Sequence, residues 1–266
     1  GGTFTDLVLV DTGSGALTFY KEPSRPADPA EAVVQGLVGI MDRAGVTPGD
    51  IGLLVHGTTL GLNTIIQRQG AKLALVVSNG NRDVFEIGRS RMPSSYDLSV
   101  PKEEPLVPRD LVFEVRARML ADGTVETRPG LEELTELAAE LRRHEVDAVA
   151  IMFLNAYVDG SLEEEVGQAL EAALPEVLIT RSATLWPEIR EYERALIAAL
   201  NAYIHPLVGR YLGRLRERLD AMGVAAPLYI TASNGGTLSL ESARNRPIDT
   251  ILSGPATGVV AAARLS

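Results

Sequence analysis

The first six residues, GGTFTD, combine two glycines, two threonines and an aspartate. Gly1 and Gly2 allow the backbone to approach an anion closely, and their N–H groups can point toward it. The hydroxyls of Thr3 and Thr5 can donate to phosphate oxygens. Asp6 is a candidate to hold a divalent ion, directly or through water, or to orient an attacking water. The alternative is a plain hairpin with a flexible start, because short glycine motifs are common by chance.

A second polar group, HGTT at 56–59, stands between an apolar segment and a helical pattern. This order places His56, Thr58 and Thr59 at the positive N-terminus of a helix. His56 can polarise a carbonyl or relay a proton near neutral pH. In the alternative interpretation, His56 is a hydrogen-bonded histidine at a strand end, and a threonine caps the helix.

Arginines and acids alternate in NGNRDVFEIGR, residues 79–89. Arg82 and Arg89 are candidates to clamp a substrate carboxylate through two hydrogen bonds each, and Asp83 stands between them in the same segment. A solvated helix with internal ion pairs explains the same residues, and the pattern alone favours that interpretation.

A dense run of charges occupies the start of WPEIREYERALIAALNAY, residues 186–203. The spacing of Glu188, Arg190, Glu191, Glu193 and Arg194 fits i,i+4 pairs on an exposed helix. The functional alternative is a face for a partner or for the mouth of a site.

Two glycine turns follow apolar segments near the end of the chain: SNGG at 233–236 and SGPATG at 253–258. Gly235 and Gly236 in the first turn, and Ser253 and Gly254 in the second, are candidates to cradle a nucleotide. Turns of this kind also serve only to pack a helix on a strand.

Several established chemistries are excluded by the motifs that the sequence lacks. There is no GxxxxGK[ST], GxGxxG, GxSxG or HExxH pattern, and the three histidines are too far apart for a metal-ligand spacing. The absence of cysteine excludes a thiol nucleophile and a disulfide framework.

The composition is that of a soluble globular protein long enough for one or two domains, with 266 residues and 45% hydrophobic content. A net charge of −10 argues against nucleic acid or an anionic membrane as the main partner. No apolar run is long enough to span a membrane and no signal-peptide pattern opens the chain, so a cytoplasmic location is the default.

Strand and helix patterns alternate along the chain, which predicts α/β layers. Strands are predicted at 5–11 and 16–22, a buried strand at 51–57, and a helix capped by Thr58 or Thr59 that ends before Gly70. A helix capped by Ser161 and a long helix over 186–222, broken at His205-Pro206, follow. A strand is predicted before SGPATG. The antiparallel opening pair, followed by helix and strand, suits a ribonuclease-H-like fold, in which a strand turn holds phosphate.

Four blocks keep their order and spacing: GGTFTDLVLVD, HGTTLGLNTIIQRQGAKLALVVSNGNRDVFEIGR, LWPEIREYERALIAALNAYIHPLVGRYL and SNGGTLSLESARNRPIDTILSGPATGVVAAA. With these blocks, the chain resembles the hydantoinase A / 5-oxoprolinase family nearly end to end. The resemblance implies an actin-like ATPase fold, with a ribonuclease-H-like lobe over 1–182 that carries an inserted segment at about 90–128. Residues 183–266 would begin the hydantoinase A domain.

The resemblance also implies ATP-dependent opening of a cyclic amide such as 5-oxoproline or a hydantoin, with Mg²⁺ or Mn²⁺ as the metal. Phosphorylation of the amide oxygen would make a good leaving group, so that water can open the ring. Gly1, Gly2, Thr3 and Thr5 would then donate to phosphate, Asp6 would hold the metal ion or its waters, and His56, Thr58 and Thr59 would face the lactam. A hydantoinase B-type subunit and an oligomeric assembly are expected by the same resemblance.

Two other functions stay open at this point. Relatives of the family serve as subunits of ATP-dependent ketone carboxylases, and the chain can also be a scaffold or partner-binding lobe without turnover. The family pattern places an Asp-bearing strand before GGTFTD and a loop similar to DMGGTSTD after the SGPA helix. We therefore expect an N-terminal portion of a longer protein, missing residues at both ends.

Overall fold

The computed structural model describes residues 3–25, 27–90, 94, 96–97, 99–100 and 104–265. The chain forms two compact units. The split unit comprises residues 1–68 and 207–266, and the central unit comprises residues 69–206. The domain boundary between residues 182 and 183 stays a prediction. Within the described ranges, no helix combines the length and apolar character needed to cross a membrane.

Strands and helices alternate along the described residues. The strands are β1 (Phe4–Val10), β2 (Leu17–Pro23), β3 (Leu54–His56), β4 (Leu73–Ser78), β5 (Val112–Val115), β6 (Arg118–Met119), β7 (Val125–Thr127), β8 (Ala148–Met152), β9 (Leu178–Arg181), β10 (Leu228–Thr231) and β11 (Thr237–Ser239). The helices are α1 (Pro29–Ala44), α2 (Leu60–Ile66), α3 (Val84–Ile87), α4 (Leu131–Arg143), α5 (Ser161–Ala173), α6 (Ser182–Leu185), α7 (Glu191–Ala221), α8 (Leu240–Asn245) and α9 (Ser253–Leu265).

The core of the central unit is a four-stranded sheet in the order β5-β4-β8-β9, with parallel pairing throughout. Every residue of β4 and β8 is buried. Strands buried on both faces are near-continuous apolar runs, and the sequences LALVVS and AVAIM fit that rule. The predicted α/β class is therefore confirmed.

The split unit contains a three-stranded sheet in the order β11-β10-β3, in which β10 runs parallel to β3 and antiparallel to β11. A separate antiparallel hairpin joins β1 to β2, with Val8 opposite Phe19. α1 packs closely on this hairpin, because a Cβ atom added to Gly36 would lie 2.5 Å from Leu7 Cδ1. On the other face of the hairpin, Val8, Val10, Leu17 and Phe19 are each more than half exposed.

Two predicted strands differ from the structure. The strand predicted at 51–57 is reduced to Leu54–His56, and it is not buried, since Val55 is 52% exposed. Among the described residues β3 pairs only with β10, and an edge strand keeps one side open. The strand predicted before SGPATG is absent: a 3₁₀ turn, Pro247–Thr250, leads into α9, which begins at Ser253.

Two predicted helix boundaries were also wrong. Ser161 does not cap α5: Gly160 is the cap residue, and the Ser161 N–H donates to Asp159 Oδ1 at 2.8 Å. α7 begins at Glu191 and runs through Pro206 without a break. A proline removes one helical N–H donor and crowds the preceding turn. Ile204 and Val208, on either side of Pro206, are buried, and packing of an apolar face supplies most of the stability of a helix in a protein.

Gly70 was predicted as the glycine that ends α2, but the left-handed backbone belongs to Arg68, whose φ is 53°. Gly70 is needed for close packing instead. A Cβ atom there would lie 2.4 Å from Cε1 of the buried Tyr203 ring. We expect Gly70→Ala to lower the free energy of unfolding by about 1–3 kcal/mol, because the ring must move in a packed interior.

Urea unfolding of Gly70→Ala checks this prediction, with Gly52→Ala as the control. A Cβ atom on Gly52 has no atom within 4 Å. Equal stability of the two variants would contradict the packing role of Gly70.

Candidate functional site

Two polar turns lie at the same edge of the three-stranded sheet in the split unit. His56 ends β3, and its register partner is Ile230 of the parallel strand β10. The segments that follow the two strands are HGTT and SNGG. Carboxyl ends of neighbouring parallel strands form the edge at which α/β proteins bind ligands. The two turns approach each other closely at this edge, since a Cβ atom on Gly57 would lie 3.0 Å from Thr231 Oγ1.

His56 is fixed by a tyrosine from the second half of α7. Its Nε2 atom lies 2.7 Å from the hydroxyl of Tyr211, which is 7% exposed. Burial of the imidazole lowers the pKa of His56 to about 4, and burial raises the pKa of Tyr211 above its ordinary value. Both side chains are therefore neutral at pH 7.

The two threonines of HGTT have different roles in the structure. Thr58 Oγ1 accepts a hydrogen bond from the Leu60 N–H at 3.2 Å. Thr59 occupies the N-cap position of α2, but its side chain accepts from the Asn63 side chain at 3.3 Å and not from a helix N–H. Thr58 thus satisfies a free donor of the first helical turn.

The SNGG turn packs against the start of α9. The Ser233 N–H donates to the Asp249 carbonyl at 2.7 Å, and Ser233 Oγ accepts from the Leu252 N–H at 3.0 Å. Gly235 has a φ of 83°, which favours glycine. Within the turn, the Gly235 N–H donates to the Ala232 carbonyl and the Gly236 N–H to Asn234 Oδ1. These two amides are therefore already satisfied.

Ser253 and Gly254 are the first residues of α9 and not a turn after a strand. The Ser253 side chain is buried. Gly254 is exposed, with open space where a side chain would stand. The backbone at Gly254 is therefore the part of this segment that a ligand can reach. Free N–H groups in a first helical turn favour an anion there.

The opening motif forms the start of the hairpin, and Gly1 and Gly2 lie outside the described residues. Thr3 is exposed, and its carbonyl accepts from the Ser24 N–H at 3.0 Å. Thr5 and Asp6 are neighbours in β1, so their side chains point to opposite faces. Asp6 Oδ1 lies 2.9 Å from Lys21 Nζ on the exposed face. In the described ranges no group of three or more His, Asp or Glu side chains could hold a metal ion.

The three predicted substrate-binding residues belong to the central unit. Asp83 pairs with Arg109 at 2.5 Å, which lowers the pKa of Asp83. Arg89 makes a two-bonded pair with Glu193. Arg82 is half-buried, donates to the Arg109 carbonyl at 3.4 Å, and has a buried Nε atom with no partner among the described residues. Of the two arginines, Arg82 keeps more donor capacity for a ligand.

The sequence predicted an exposed face for the charge run 188–194 at the start of α7, but Arg194 is fully buried. Its Nη2 atom donates to the Phe153 carbonyl and its Nη1 atom to the Glu188 carbonyl at 3.3 Å. The buried Glu163 accepts from the Phe153 N–H at 2.9 Å and from the Ser182 hydroxyl at 2.7 Å. The two charged side chains therefore hold both backbone polar groups of Phe153, just after β8.

A cleft of about 860 Å³ lies in the central unit, between β5 and the first turns of α4. Its lining includes five glutamates, Glu114, Glu132, Glu133, Glu136 and Glu140. Such a lining repels phosphate, and none of the predicted site residues lines the cleft. It is therefore a poor candidate for a nucleotide site.

HGTT, SNGG and the start of α9 therefore lie in one unit. HGTT and SNGG follow two neighbouring parallel strands, and SNGG contacts the residue that precedes α9. Arg82, Asp83 and Arg89 belong to the other unit. Tyr211, which stands 155 positions after His56, was not among the residues predicted from the sequence. A tyrosine in a helix has no local pattern that links it to a distant histidine, so only the fold reveals this pair.

The fold is that of actin-like ATPases with ribonuclease-H-like α/β lobes, as the sequence predicted. The crystal structure of ATP-dependent caprolactamase from Pseudomonas jessenii matches with a TM-score of 0.87 and 34% identity. The match covers 97% of this chain and 38% of that chain.

Two sequence models of one family match nearly the whole chain. The hydantoinase/oxoprolinase N-terminal region matches residues 1–174, and the hydantoinase/oxoprolinase model matches residues 194–266. The chain belongs to the hydantoinase/oxoprolinase family.

Curated relatives include subunits of two kinds of enzyme. Caprolactamase subunit alpha of Pseudomonas jessenii is 36% identical over 97% of this chain. The acetophenone carboxylase gamma subunit of Aromatoleum aromaticum is 26% identical over 99% of this chain. The chain spans 38% of the length of each of these relatives.

Proposed function

We propose that this chain is part of an ATP-dependent enzyme that hydrolyses a cyclic amide, such as 5-oxoproline or a hydantoin. The observation that carries the proposal is the pairing of HGTT and SNGG at the carboxyl ends of β3 and β10, in a member of this family. The similarity to a caprolactamase subunit supports a cyclic amide as the substrate class.

An amide is a poor electrophile because its nitrogen donates electrons to the carbonyl. Transfer of the ATP γ-phosphoryl group to the amide oxygen gives ADP and a phosphorylated imidate. Water adds to the ring carbon, the ring C–N bond breaks, and a second water hydrolyses the resulting acyl phosphate. The products are the open-chain amino acid and phosphate. Positioning and charge neutralisation supply most of the rate in such phosphoryl transfers.

The split unit offers donors that fit a nucleotide phosphate. The open backbone at Gly254 lies in the first turn of the 13-residue helix α9, where free N–H groups favour anions. Gly235 and Gly236 keep the neighbouring turn free of side chains, and Ser253 anchors the helix start. In the proposal, Gly1, Gly2, Thr3 and Thr5 donate to the transferred phosphate.

The metal ion would have Asp6 as its protein ligand in this chain. A single carboxylate fits Mg²⁺ or Mn²⁺ carried in by the nucleotide, because Mg²⁺ keeps several waters and binds substrate phosphates. The ion would supply charge neutralisation at the phosphates. Lys21, which pairs with Asp6, would have to release the carboxylate.

The lactam would lie against HGTT. The neutral imidazole of His56 and the hydroxyls of Thr58 and Thr59 provide hydrogen bonds to the amide. In the central unit, Arg82 is the candidate to bind a carboxylate, and Asp83 and Arg89 hold the surrounding segment through Arg109 and Glu193.

The test is ADP formation by the protein, alone and with a hydantoinase B-type subunit. We expect ADP formation that depends on 5-oxoproline or hydantoin, and at least a tenfold loss in Asp6→Asn, because the metal ligand is removed. Asp42→Asn, on the exposed surface of α1, is the matched control.

The same screen decides between the proposal and its alternatives. ADP formation that depends on a ketone and bicarbonate would overturn it in favour of a carboxylase subunit, for which the similarity to acetophenone carboxylase gives the reason. If neither substrate gives ADP formation, with or without the second subunit, the result would favour a non-catalytic scaffold.

A further inference from the structure

His56 is held on one side by a hydrogen bond that nothing in the sequence indicates. The Tyr211 hydroxyl lies 2.7 Å from His56 Nε2, and the two rings are tilted by 48°. Tyr211 is 7% exposed, so its hydroxyl depends on protein partners. The partner within hydrogen-bond distance among the described residues is His56 Nε2.

Burial favours one direction for the proton in this hydrogen bond. The phenol has a single O–H proton, and burial raises the pKa of Tyr211, so that proton stays on the oxygen at pH 7. Among the described residues, His56 Nε2 is the acceptor within hydrogen-bond distance of this hydroxyl. If Nε2 carried a proton, the buried O–H group of Tyr211 would have no acceptor, which costs free energy. Tyr211 therefore donates its proton to His56 Nε2.

We propose that Tyr211 is a positioning residue that holds His56 in the Nδ1–H tautomer, with Nε2 as an acceptor. His56 then has its Nδ1–H group left to donate to the substrate, and acts as a neutral donor and not as a base. This role in the reaction rests on the proposed function, whereas the tautomer itself does not.

A neutral imidazole carries one N–H, so the partner of one nitrogen decides the state of the other. Burial lowers the pKa of His56 to about 4, which keeps the ring neutral at pH 7. Tyr211 therefore decides which nitrogen can face a lactam as donor.

The test is the two-bond ¹H–¹⁵N spectrum of the chain labelled with [¹⁵N]histidine, at pH 7 and without ligands. The chain has three histidines, and His144→Gln and His205→Gln variants assign the His56 signals by elimination. We expect a protonated Nδ1 and an unprotonated Nε2 in the wild type. In Tyr211→Phe, we expect the Nε2–H tautomer to become populated.

Tyr203→Phe is the matched control, since it removes another buried phenol hydroxyl from α7. It should leave the His56 tautomer unchanged. If Tyr211→Phe does not fold, as judged by circular dichroism, the tautomer of the wild type remains the test. An Nε2–H tautomer in the wild type, or an unchanged Nδ1–H tautomer in a folded Tyr211→Phe variant, would overturn the proposal.

The role in the reaction has a separate readout. With a cyclic amide, Tyr211→Phe should lower kcat about tenfold and leave the KM for ATP unchanged, because the nucleotide contacts are untouched. An unchanged kcat would overturn the role of Tyr211 in the reaction even if the tautomer is as expected. Absence of amide-dependent turnover in the wild type would instead defeat the proposed function and leave the tautomer result standing.

Discussion

Replacing Arg194 with methionine should lower the free energy of unfolding of the central unit by about 3–5 kcal/mol, because the buried guanidinium donates to two backbone carbonyls and hydrogen bonds of charged groups contribute about 1.5–3 kcal/mol each. Arg194 and Glu163 are both fully buried. They bind the carbonyl and the N–H of Phe153, respectively. Methionine fills a similar volume but leaves that carbonyl with the Ala156 N–H at 3.3 Å as its remaining donor, and it leaves Glu163 without a nearby cation.

Burial opposes ionisation of both side chains in this cluster. It raises the pKa of Glu163 and lowers the pKa of Arg194. Hydrogen bonds from Ala183, Phe153 and Ser182, together with the charge of Arg194, favour the carboxylate form of Glu163. The carboxylate is thus stabilised by its surroundings, and it becomes costly when the guanidinium is removed.

Urea unfolding followed by the fluorescence of Trp186 measures this effect, because the single tryptophan belongs to the central unit. Arg190→Met is the matched control, since Arg190 is exposed just before the same helix. We also expect the double variant Glu163→Gln, Arg194→Met to lose less stability than the sum of the single variants. Strict additivity, or an equal loss in Arg190→Met, would show that the two side chains do not act together.

Stability should also fall as the pH is lowered from about 6.5 to about 4, because of His56. The pKa of His56 is about 4 in the folded chain and 6.5 for an ordinary histidine. Between these values the unfolded chain binds the proton and the folded chain does not, so the free energy of unfolding rises with pH. The full window corresponds to about 3 kcal/mol.

The contribution of His56 is isolated by comparison with His56→Asn, which keeps hydrogen-bonding groups but does not titrate. The free energy of unfolding is measured from pH 7 to pH 4 in both proteins. The advantage of the wild type over His56→Asn in this free energy should shrink as the pH falls through this window. His144→Asn, which removes a histidine of the central unit, is the control and should keep the acid loss of the wild type. A constant difference between wild type and His56→Asn would mean that His56 is protonated equally in both states.

The α/β class and the order of the main elements could be predicted from the sequence, because buried parallel strands and amphipathic helices have strong periodic patterns. LALVVS and AVAIM are continuous apolar runs that become β4 and β8. The opening hairpin was predicted to within one residue at each strand boundary. These features depend on local composition, which the sequence displays directly.

Boundaries that depend on tertiary contacts could not be predicted. Pro206 was expected to break α7, yet the helix continues through it. Arg194 was expected on an exposed face because it is charged. The alanines that follow it at helical spacing were the available signal of burial, and they form a buried stripe: Ala195, Ala198, Ala199 and Ala202. The start of α9 at Ser253 likewise depends on contacts with the SNGG turn.

The candidate site could be predicted only as separate segments. HGTT and SNGG were recognised from their residue types, but only the pairing of β3 with β10 places them at one edge. The contacts of Arg89 with Glu193, 104 positions away, and of His56 with Tyr211 depend on the fold. The residue roles that the family resemblance implies stay predictions.

The exposed face of the β1–β2 hairpin makes self-association of the chain dependent on pH. Val8, Val10, Leu17 and Phe19 form an apolar ribbon, and among the described residues neither strand pairs with a third. Such ribbons attract one another face to face and edge to edge. At pH 7 the net charge of −10 keeps copies apart. Near the isoelectric point of about 4.9 that repulsion vanishes, so self-association should be strongest in mildly acidic solution.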